Sequence, residues 1–297
     1  ELPATWFAVT SLSFDISVLE LLYTLARGFS VVVYLDRDRH DDEDDEDQGI
    51  FVEQHPQLPM DFSLFYFSGD ASTGAGSDRY RLLLDGARFA DRHDFTAVWT
   101  PERHFHDFGG LYPQPAVTSA AIATITERVK IRSGSVVMPL EHPIRVAEAW
   151  SVVDNLSDGR VGISVASGWQ PNDFVLRPQN YKDAKAKMFE GLDQLRRLWR
   201  GETVTFIGVD GAEVPVRTLP RPVQEEVPAW VTTAGNPDTY VQAGRVGANV
   251  LTHLLGQSIE QLAPKIEAYR QARAEAGFDP DRLPGGRSAP LRSAAPR

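Results

Sequence analysis

The sequence contains no cysteine among its 297 residues. Disulfide bonds, thiolate metal sites and cysteine nucleophiles are therefore excluded, and any chemistry must use other side chains. Long apolar runs are also missing: FSLFYF and SGSVVM have the length of strands, far below the roughly 20 residues of a membrane-spanning helix. The N-terminus has no basic region followed by an apolar stretch, which a secretory signal requires. We therefore predict a cytoplasmic protein that does not cross a membrane.

The formal net charge of -11 argues against nucleic-acid binding, because neutralising phosphates requires clustered Lys and Arg. Part of the acidity lies in one run, DRDRHDDEDDEDQG, at residues 36–49. Its like charges repel one another, and it offers almost no apolar side chain for burial. We predict an acidic linker over residues 36–57.

From residue 61 onward, strand and helix signals alternate, which is typical of βαβ units and a parallel sheet. A surface hairpin is predicted at residues 203–220. The predicted strands are 62–67, 97–99, 129–138, 160–166, 228–235 and 249–254, and the helices that follow them are 78–93, 115–128, 144–159, 181–201, 236–247 and 258–277. Six such pairs, without a repeated dinucleotide-binding glycine fingerprint, favour an α/β protein of the (β/α)8 TIM-barrel type over an open sheet.

The C-terminal segment LPGGRSAPLRSAAPR, after residue 282, is rich in Pro, Gly, Ser and Arg and offers no seventh or eighth strand. We therefore expect the barrel, residues 58–283, to be truncated after its sixth β/α unit, and residues 284–297 to form a disordered tail. An open parallel edge of this kind would expose unpaired backbone groups unless another polypeptide covered it.

The richest set of reactive side chains follows the second predicted strand, in WTPERHFHDFGGLYPQP. Catalytic groups of such barrels lie where strands end and loops begin, and this segment places Glu102, Arg103, His104 and His106 at such an end. The alternative for His106 is a surface loop in which this histidine caps a helix. For His104 we favour a functional role.

A second chemical interpretation treats His104 and His106 as a metal-binding pair, as in zinc-dependent barrel hydrolases. Such a site would require further His and Asp ligands at later strand ends. The chain offers only His142 and His253 there. We therefore predict no metal site and keep the hydrolase as an alternative.

The sequence from VWTPERHF to VASGW, residues 98–169, resembles the luciferase-like monooxygenase family along its whole length. In that family the motif after the second strand is commonly Glu-His-His-Phe, and its first histidine assists the reaction of the flavin with oxygen. Here the motif is Glu102-Arg103-His104-Phe105, so Arg103 replaces the first histidine. The resemblance implies catalytic roles for Glu102, Arg103 and His104, with the acid/base role carried over to His104.

The same resemblance implies an FMN site at the ends of the third, fourth and fifth strands. In the family, these ends supply backbone and apolar contacts to the flavin ring, often through an unusual peptide geometry, and a helix N-terminus for the phosphate. The alternatives are ordinary core packing and an Asn cap without a ligand. The predicted cofactor-binding residues are Val137, Met138, Ser167, Gly168, Trp169, Gly235, Asn236 and Thr239.

Residues 1–35 carry a different resemblance. The sequence TSLSFDISVLELLYTLARGFSVVV is similar to the segment of non-ribosomal peptide synthetase adenylation domains that contains the FD-S-LE signature. In that family the aspartate matching Asp15 pairs with the α-amino group of the substrate. About 35 residues are too few for a stable core, so this fragment indicates context and no adenylating activity. The barrel resembles most closely the luciferase-like subgroup embedded in such domains.

Together, the two resemblances imply a monooxygenase that uses reduced FMN and O2. No NAD(P)H-binding fingerprint is present, so a separate flavin reductase is expected to supply the reduced FMN. The implied reaction is hydroxylation, at the α-carbon or the nitrogen, of a small substrate or of an aminoacyl or peptidyl group held on a carrier protein beside flanking synthetase domains. A homodimer is left open. The remaining alternative is an inactive structural remnant of a synthetase insertion.

Overall fold

The computed structural model describes residues 61–66, 76–107 and 109–280. The predictions for residues 1–35, 36–57 and 284–297 lie outside the described residues, as does Asp15. None of the described helices combines the length and the apolar content that crossing a membrane requires.

The described residues form two sheets. Six strands lie side by side in the order β1-β2-β3-β4-β7-β8, and every neighbouring pair is parallel. Strands β5 and β6 pair antiparallel as a separate hairpin, which confirms the predicted surface hairpin. The strands are β1 (Ser63–Phe65), β2 (Ala97–Thr100), β3 (Lys130–Val137), β4 (Val161–Ala166), β5 (Val204–Ile207), β6 (Glu213–Val216), β7 (Ala229–Thr232) and β8 (Asn249–Leu251). Six parallel strands connected through helices confirm the predicted βαβ alternation.

The helices are α1 (Arg81–Arg92), α2 (Pro115–Ala123), α3 (Pro143–Leu156), α4 (Ala184–Trp199), α5 (Pro237–Arg245) and α6 (Ile259–Glu275). Proline occupies the first turn of α2, α3 and α5, where its missing N–H would have no intrahelical partner. Helix α6 begins at a capping box, in which Ser258 and Gln261 satisfy each other's backbone N–H groups.

Helix α2 ends at Ala123, earlier than the predicted residue 128. The reason lies in α1: the carboxylate of Asp91 accepts hydrogen bonds from the backbone N–H groups of Glu127, Arg128 and Val129, at 3.0, 2.7 and 2.8 Å. Because these N–H groups bond to Asp91, they are not available for the hydrogen bonds that would continue α2, and β3 begins directly after them. Burial opposes the charge of Asp91, but the three N–H groups outweigh it and lower the pKa of Asp91.

Two further polar side chains fasten the amino ends of the strands. Arg160, directly before β4, donates to the backbone carbonyls of Ala123, Thr126, Val129 and Ser157 at 2.7 to 3.2 Å. Asp154 is fully buried at the end of α3. It accepts from the backbone N–H groups of residues 223 and 224, which precede β7, at 2.8 and 3.0 Å. The hydrogen bonds of these buried groups offset the cost of their burial, so they can hold the starts of the strands in place.

Alternate strand residues face opposite sides of the six-stranded sheet. One side meets the helices in the main core. Each fully buried Val, Leu or Ile there stabilises the fold by roughly 1.5–3 kcal/mol. The strand residues of this core include Val98, Ile131, Ile163 and Val231, and they pack against helix residues such as Trp150, Leu192 and Leu195.

The other side of the sheet carries an aromatic layer around a buried arginine. The Arg132 guanidinium lies 5.0 Å from the ring centre of Trp99 and 4.6 Å from that of Trp230, and the two indoles meet edge-on at 5.2 Å. Gly162 makes this layer possible, because an added Cβ would lie 2.8 Å from Trp230. Burial lowers the pKa of Arg132 to about 10. The layer fills the inner side of the sheet, as side chains fill the interior of a TIM barrel.

Candidate active site

Glu102 and His104 form a buried pair directly after β2. Side chains two residues apart on an extended segment point the same way, and the Nε2 atom of His104 lies 2.9 Å from Oε1 of Glu102. The second oxygen of Glu102 accepts the backbone N–H of Val137 at 2.8 Å. The side chains of Glu102 and His104 are 1% and 9% exposed. The end of β2 is thus linked to the end of β3 through one carboxyl group.

Burial shifts the protonation of both partners. It raises the pKa of Glu102 to about 7, and neighbouring Glu141 adds to the rise, while His104 and the Val137 N–H oppose it. For His104, burial opposes the charged form, but the hydrogen bond with Glu102 and the carboxyl groups of Glu102, Asp173 and Glu141 outweigh it and raise its pKa. Both partners therefore hold a proton to higher pH than the free side chains do, and acid/base groups use shifted pKa values of this kind.

Arg103, His106, Asp173 and Trp169 lie beside this pair. Nε2 of His106 is 3.6 Å from Oδ1 of Asp173, and the Arg103 guanidinium lies 5.2 Å from the centre of the exposed Trp169 ring. Asp173 is buried, and burial raises its pKa against the opposing charges of His104, His106 and Arg103. The loops after β2 and β4 thus bring carboxyl, imidazole and guanidinium groups together at one end of the sheet.

The local backbone explains this arrangement. Phe105 adopts φ 60°, a left-handed conformation that reverses the chain between His104 and His106. Gly109 has φ 79°, and a Cβ there would lie 2.7 Å from Cγ of Arg103. Arg103 can therefore lie buried under its own loop.

Val137 and Met138, predicted to contact the flavin, lie in two different clusters. Val137 packs with Leu140 and Phe174, while its N–H binds Glu102. Met138 belongs to the main core, and a Cβ on Gly191 of α4 would lie 2.4 Å from its Cγ. The side chain of Met138 therefore has a packing role in the helix layer. The unusual peptide lies earlier in β3, where Gly134–Ser135 is cis.

A row of hydroxyl groups crosses the sheet near the carboxyl ends of β3, β4 and β7. Ser135 bonds to both Ser164 and Thr232, and the Ser164 and Thr232 hydroxyl oxygens lie 2.7 Å apart. The Ser133 hydroxyl donates to the carbonyl of Ser164 at 3.0 Å. The three serines of this row are buried, and sequence reasoning did not identify the row.

Gly235, Asn236 and Thr239 lie where β7 passes into α5. Asn236 caps α5 by accepting the N–H of Asp238 at 3.0 Å, which is the capping role considered from the sequence. Gly235 is exposed, with no atom within 4 Å of an added Cβ, whereas Thr239 is only 4% exposed. The Nζ of Lys265, on α6, donates to the Ala234 carbonyl at 3.3 Å, so a cation adjoins this turn.

Comparison with known proteins places this geometry in a family. A family model described as luciferase-like monooxygenase matches residues 60–293. The chain belongs to the luciferase-like monooxygenase family. The crystal structure of monooxygenase RslO1 from Streptomyces bottropensis is 31% identical, with a TM-score of 0.69 over 76% of this chain and 69% of that chain. The luciferase-like fold predicted from the sequence is thus confirmed, and the described residues form six parallel strands of it.

A curated luciferase-like relative is the oxygenase component of the flavin-dependent trigonelline monooxygenase of Acinetobacter baylyi. It is 27% identical over 209 residues, which cover 68% of this chain and 58% of the relative. The chain thus spans somewhat more than half the length of that protein.

Two more distant structures share the luciferase-like fold. The oxygenating constituent of 3,6-diketocamphane monooxygenase of Pseudomonas putida, in complex with FMN, has a TM-score of 0.66 at 20% identity, covering 75% of this chain and 65% of its own. An F420-dependent secondary alcohol dehydrogenase has a TM-score of 0.60 at 23% identity, covering 75% and 66%. At these identities the likeness shows the fold alone.

The metal-hydrolase interpretation finds no support in this luciferase-like chain. His142 caps α3 by accepting the N–H of Ile144 at 3.3 Å, and His253 accepts the N–H of Leu255 at 3.2 Å. Both histidines considered as further metal ligands therefore accept hydrogen bonds from nearby backbone N–H groups. Across residues 61–66, 76–107 and 109–280, no three His, Asp or Glu side chains are grouped as a metal ion would require.

Ser167, Gly168 and Trp169 follow β4, as the luciferase-like resemblance requires. Trp169 is 64% exposed, and Gly168 adopts φ 85°. A Cβ on Gly168 would lie 2.9 Å from the Phe174 ring and 3.2 Å from Val137. We expect Gly168→Ala to destabilise the chain by about 1–3 kcal/mol, because it combines a strained backbone with a clash.

Urea unfolding of Gly168→Ala measures this loss, and Gly211→Ala is the matched control. Gly211 also has a positive φ, 77°, but an added Cβ there meets no atom within 4 Å. Equal losses in the two variants would show that the contacts with Phe174 and Val137 are unimportant.

Asp173 and Glu141 are functional candidates that sequence reasoning missed. Asp173 lies on a short 3-10 helix, Pro171–Leu176, within a segment without a helix or strand pattern. Glu141 follows another 3-10 turn, Met138–Leu140, and accepts from the Gln114 amide at 2.8 Å. The only sequence signal was their position just beyond the third and fourth strands, where such barrels carry functional groups.

Proposed function

We propose that the chain is the oxygenating part of an FMN-dependent monooxygenase that receives reduced flavin from a separate reductase. The observation that carries this proposal is the buried Glu102–His104 pair, in which the carboxyl group lies 2.9 Å from the imidazole at a strand end of a luciferase-like fold. The relative from Acinetobacter is named an oxygenase component, which supports a separate reductase for this chain as well.

The residues at the strand ends suit a flavin. Asp173 and His106, whose Oδ1 and Nε2 atoms lie 3.6 Å apart, form a polar pair at this end of the sheet. Gly168 keeps the turn after β4 free of a side chain, and the exposed Trp169 offers a flat apolar surface. The exposed turn before α5 offers the backbone N–H groups of Gly235 and Asn236, and the partial positive charge of the helix N-terminus, to a phosphate. The next N–H groups, of Asp238 and Thr239, are already bonded to the side chain and the carbonyl of Asn236.

A bound reduced flavin supplies the electrons for activating O2 and transferring one oxygen atom to a substrate. The side chains contribute positioning and proton transfer. Glu102 fixes the imidazole of His104 through Nε2, which leaves the other ring nitrogen to give or take a proton. The Arg103 guanidinium, held under Trp169, supplies a fixed positive charge at the same end of the sheet.

For the substrate, we infer an aminoacyl or peptidyl group held on a carrier protein. The support is the resemblance of residues 1–35 to an adenylation-domain segment and of the barrel to the embedded subgroup. An inactive remnant makes the opposite prediction, because it binds no flavin.

Titration of the purified chain with FMN tests the proposed function. We expect quenching of FMN fluorescence and a rise in melting temperature, since a ligand that binds only the folded state stabilises it. A parallel titration with riboflavin, which lacks the phosphate, shows how much of the FMN affinity comes from the phosphate and how much from the ring. If saturating FMN changes neither signal, the chain does not bind it and the proposal fails.

Gly235→Glu tests the phosphate position. Because space surrounds Gly235, the added carboxylate should leave the fold intact but weaken FMN binding at least about tenfold through like-charge repulsion, with riboflavin affinity unchanged. Val209→Glu adds the same charge at a fully exposed hairpin position and serves as the matched control. Equal FMN affinity of the two variants would place the phosphate elsewhere.

A further inference from the structure

A cavity of about 330 Å³ lies between the first turn of α2 and helix α3, on the helix side of the sheet. Its inner wall includes Glu102, Val136 and Trp150, and its outer rim includes Gln114 and Arg145. Gln114 and Arg145 are exposed, so the rim faces solvent. The cavity therefore connects the surface behind the sheet with the carboxyl group of the proposed active site.

Glu102 is the one residue that belongs to both this cavity and the active-site pair. One of its oxygens contacts His104 at 2.9 Å, and the other contacts the Val137 N–H at 2.8 Å. With 5% of the residue exposed, Glu102 reaches the cavity wall without opening the site to bulk water. A proton in the cavity can therefore reach the His104 imidazole through a single carboxyl group, that of Glu102.

The charged groups around this carboxyl group favour proton exchange. Burial raises the pKa of Glu102 to about 7, and Glu141, which lines the same cavity, adds to the rise. His104 faces it from its own loop, and Arg145 faces the cavity from α3. On the other side of His104, Asp173 contributes a further carboxyl group from the loop after β4.

We propose that protons reach His104 from the back of the sheet, through the cavity between α2 and α3 and across Glu102. The protonated carboxyl group of Glu102 gives its proton to Nε2 of His104, and the imidazolium releases the proton of its other ring nitrogen towards the strand ends. The Glu102 carboxylate then takes a proton from hydronium in the cavity. Each passage moves one proton from the cavity to the strand ends, leaves the imidazole protonated at Nε2, and moves no electron.

This route supplies protons without opening the loops after β2 and β4. Its use in catalysis rests on the proposed function, whereas the route itself is a property of the protein without cofactor. The two can therefore fail separately. A chain that binds no FMN can still exchange the His104 proton through the cavity.

The test is the exchange rate of the His104 ring N–H with water, measured by NMR on the whole chain labelled with 15N-histidine. Ala149 lines the cavity on α3, and Ala149→Leu narrows the cavity. We expect at least tenfold slower exchange at His104 and an unchanged rate at His106, which is more exposed and not among the cavity residues. Ala120→Leu, at a partly buried position of α2 outside the cavity, is the matched control and should leave both rates unchanged.

Wild-type exchange at His104 in a folded Ala149→Leu protein would overturn the proposal, because the proton would then pass through the strand ends. If Ala149→Leu does not fold, the exchange rate of the His104 ring N–H in Glu102→Gln tests the proposal instead. An amide does not relay the proton, so exchange at His104 should slow at least tenfold and its pKa should fall. An unchanged exchange rate in Glu102→Gln overturns the route.

Discussion

Replacing Trp230 with alanine should destabilise the chain by about 3–5 kcal/mol, the range for removing a large aromatic side chain from a core. Trp230 is fully buried on the inner side of the sheet, where it touches both Trp99 and the Arg132 guanidinium. Its loss leaves a cavity and removes one of the two rings that face a buried cation. Because the indole N–H has no hydrogen-bond partner among the described residues, the expected loss is one of packing and cation–π contact.

Urea unfolding of two control variants separates position from residue type. Trp230→Phe keeps an aromatic ring and should lose about half as much stability, because less volume is removed. Trp169→Ala makes the same chemical change at a 64% exposed site and should cost no more than about 1 kcal/mol, the value of its contact with Arg103. A Trp230→Ala loss no larger than that of Trp169→Ala would show that the aromatic layer does not carry the fold.

His104→Ala should lower the rate of substrate oxygenation by about 10²–10⁴-fold, the usual contribution of a positioned acid/base group. The structure holds this imidazole through Glu102 and surrounds it with the carboxyl groups of Asp173 and Glu141. None of these contacts involves the turn at Gly235, so FMN affinity should change by less than about twofold, a small free-energy difference.

The measurement is incorporation of oxygen from labelled O2 into the proposed substrate, a carrier-bound aminoacyl thioester, at saturating reduced FMN, with released hydrogen peroxide measured in parallel. His106→Ala is the control, because His106 lies 3.6 Å from Asp173 and has no contact with Glu102. We expect a smaller loss in His106→Ala. If both variants oxygenate at equal rates, the acid/base assignment to His104 is wrong.

The order of strands and helices was readable from the sequence because local apolar periodicity decides it. Element ends were less accurate where a distant residue intervenes. The helix predicted to reach residue 128 stops at Ala123 because Asp91, on another helix, binds the next backbone N–H groups. The sixth strand, predicted to reach residue 254, ends at Leu251, and Thr252 instead bonds to Tyr240 at 2.7 Å.

Only the part of the site that is formed by residues close together in the sequence was predictable. Glu102 and His104 are two residues apart, so the motif alone suggested a pair. Asp173 and Glu141 join it through turns without a periodic pattern, and the bond from Glu102 to the Val137 N–H spans 35 residues. Met138 shows that a sequence match can also mislead. It matches a flavin-contacting position at a strand end, but its side chain packs against Gly191 on a helix.

Asp91, Arg160 and Asp154 all act at the amino ends of the strands, whereas the Glu102–His104 pair lies at the carboxyl ends. In barrel enzymes these two ends carry stability and chemistry respectively. Selection for a new substrate can therefore alter the loops after β2 and β4, while the hydrogen bonds of Asp91, Arg160 and Asp154 keep the strands in register. Such a division makes the fold evolvable, since changes of specificity need not be accompanied by compensating changes elsewhere.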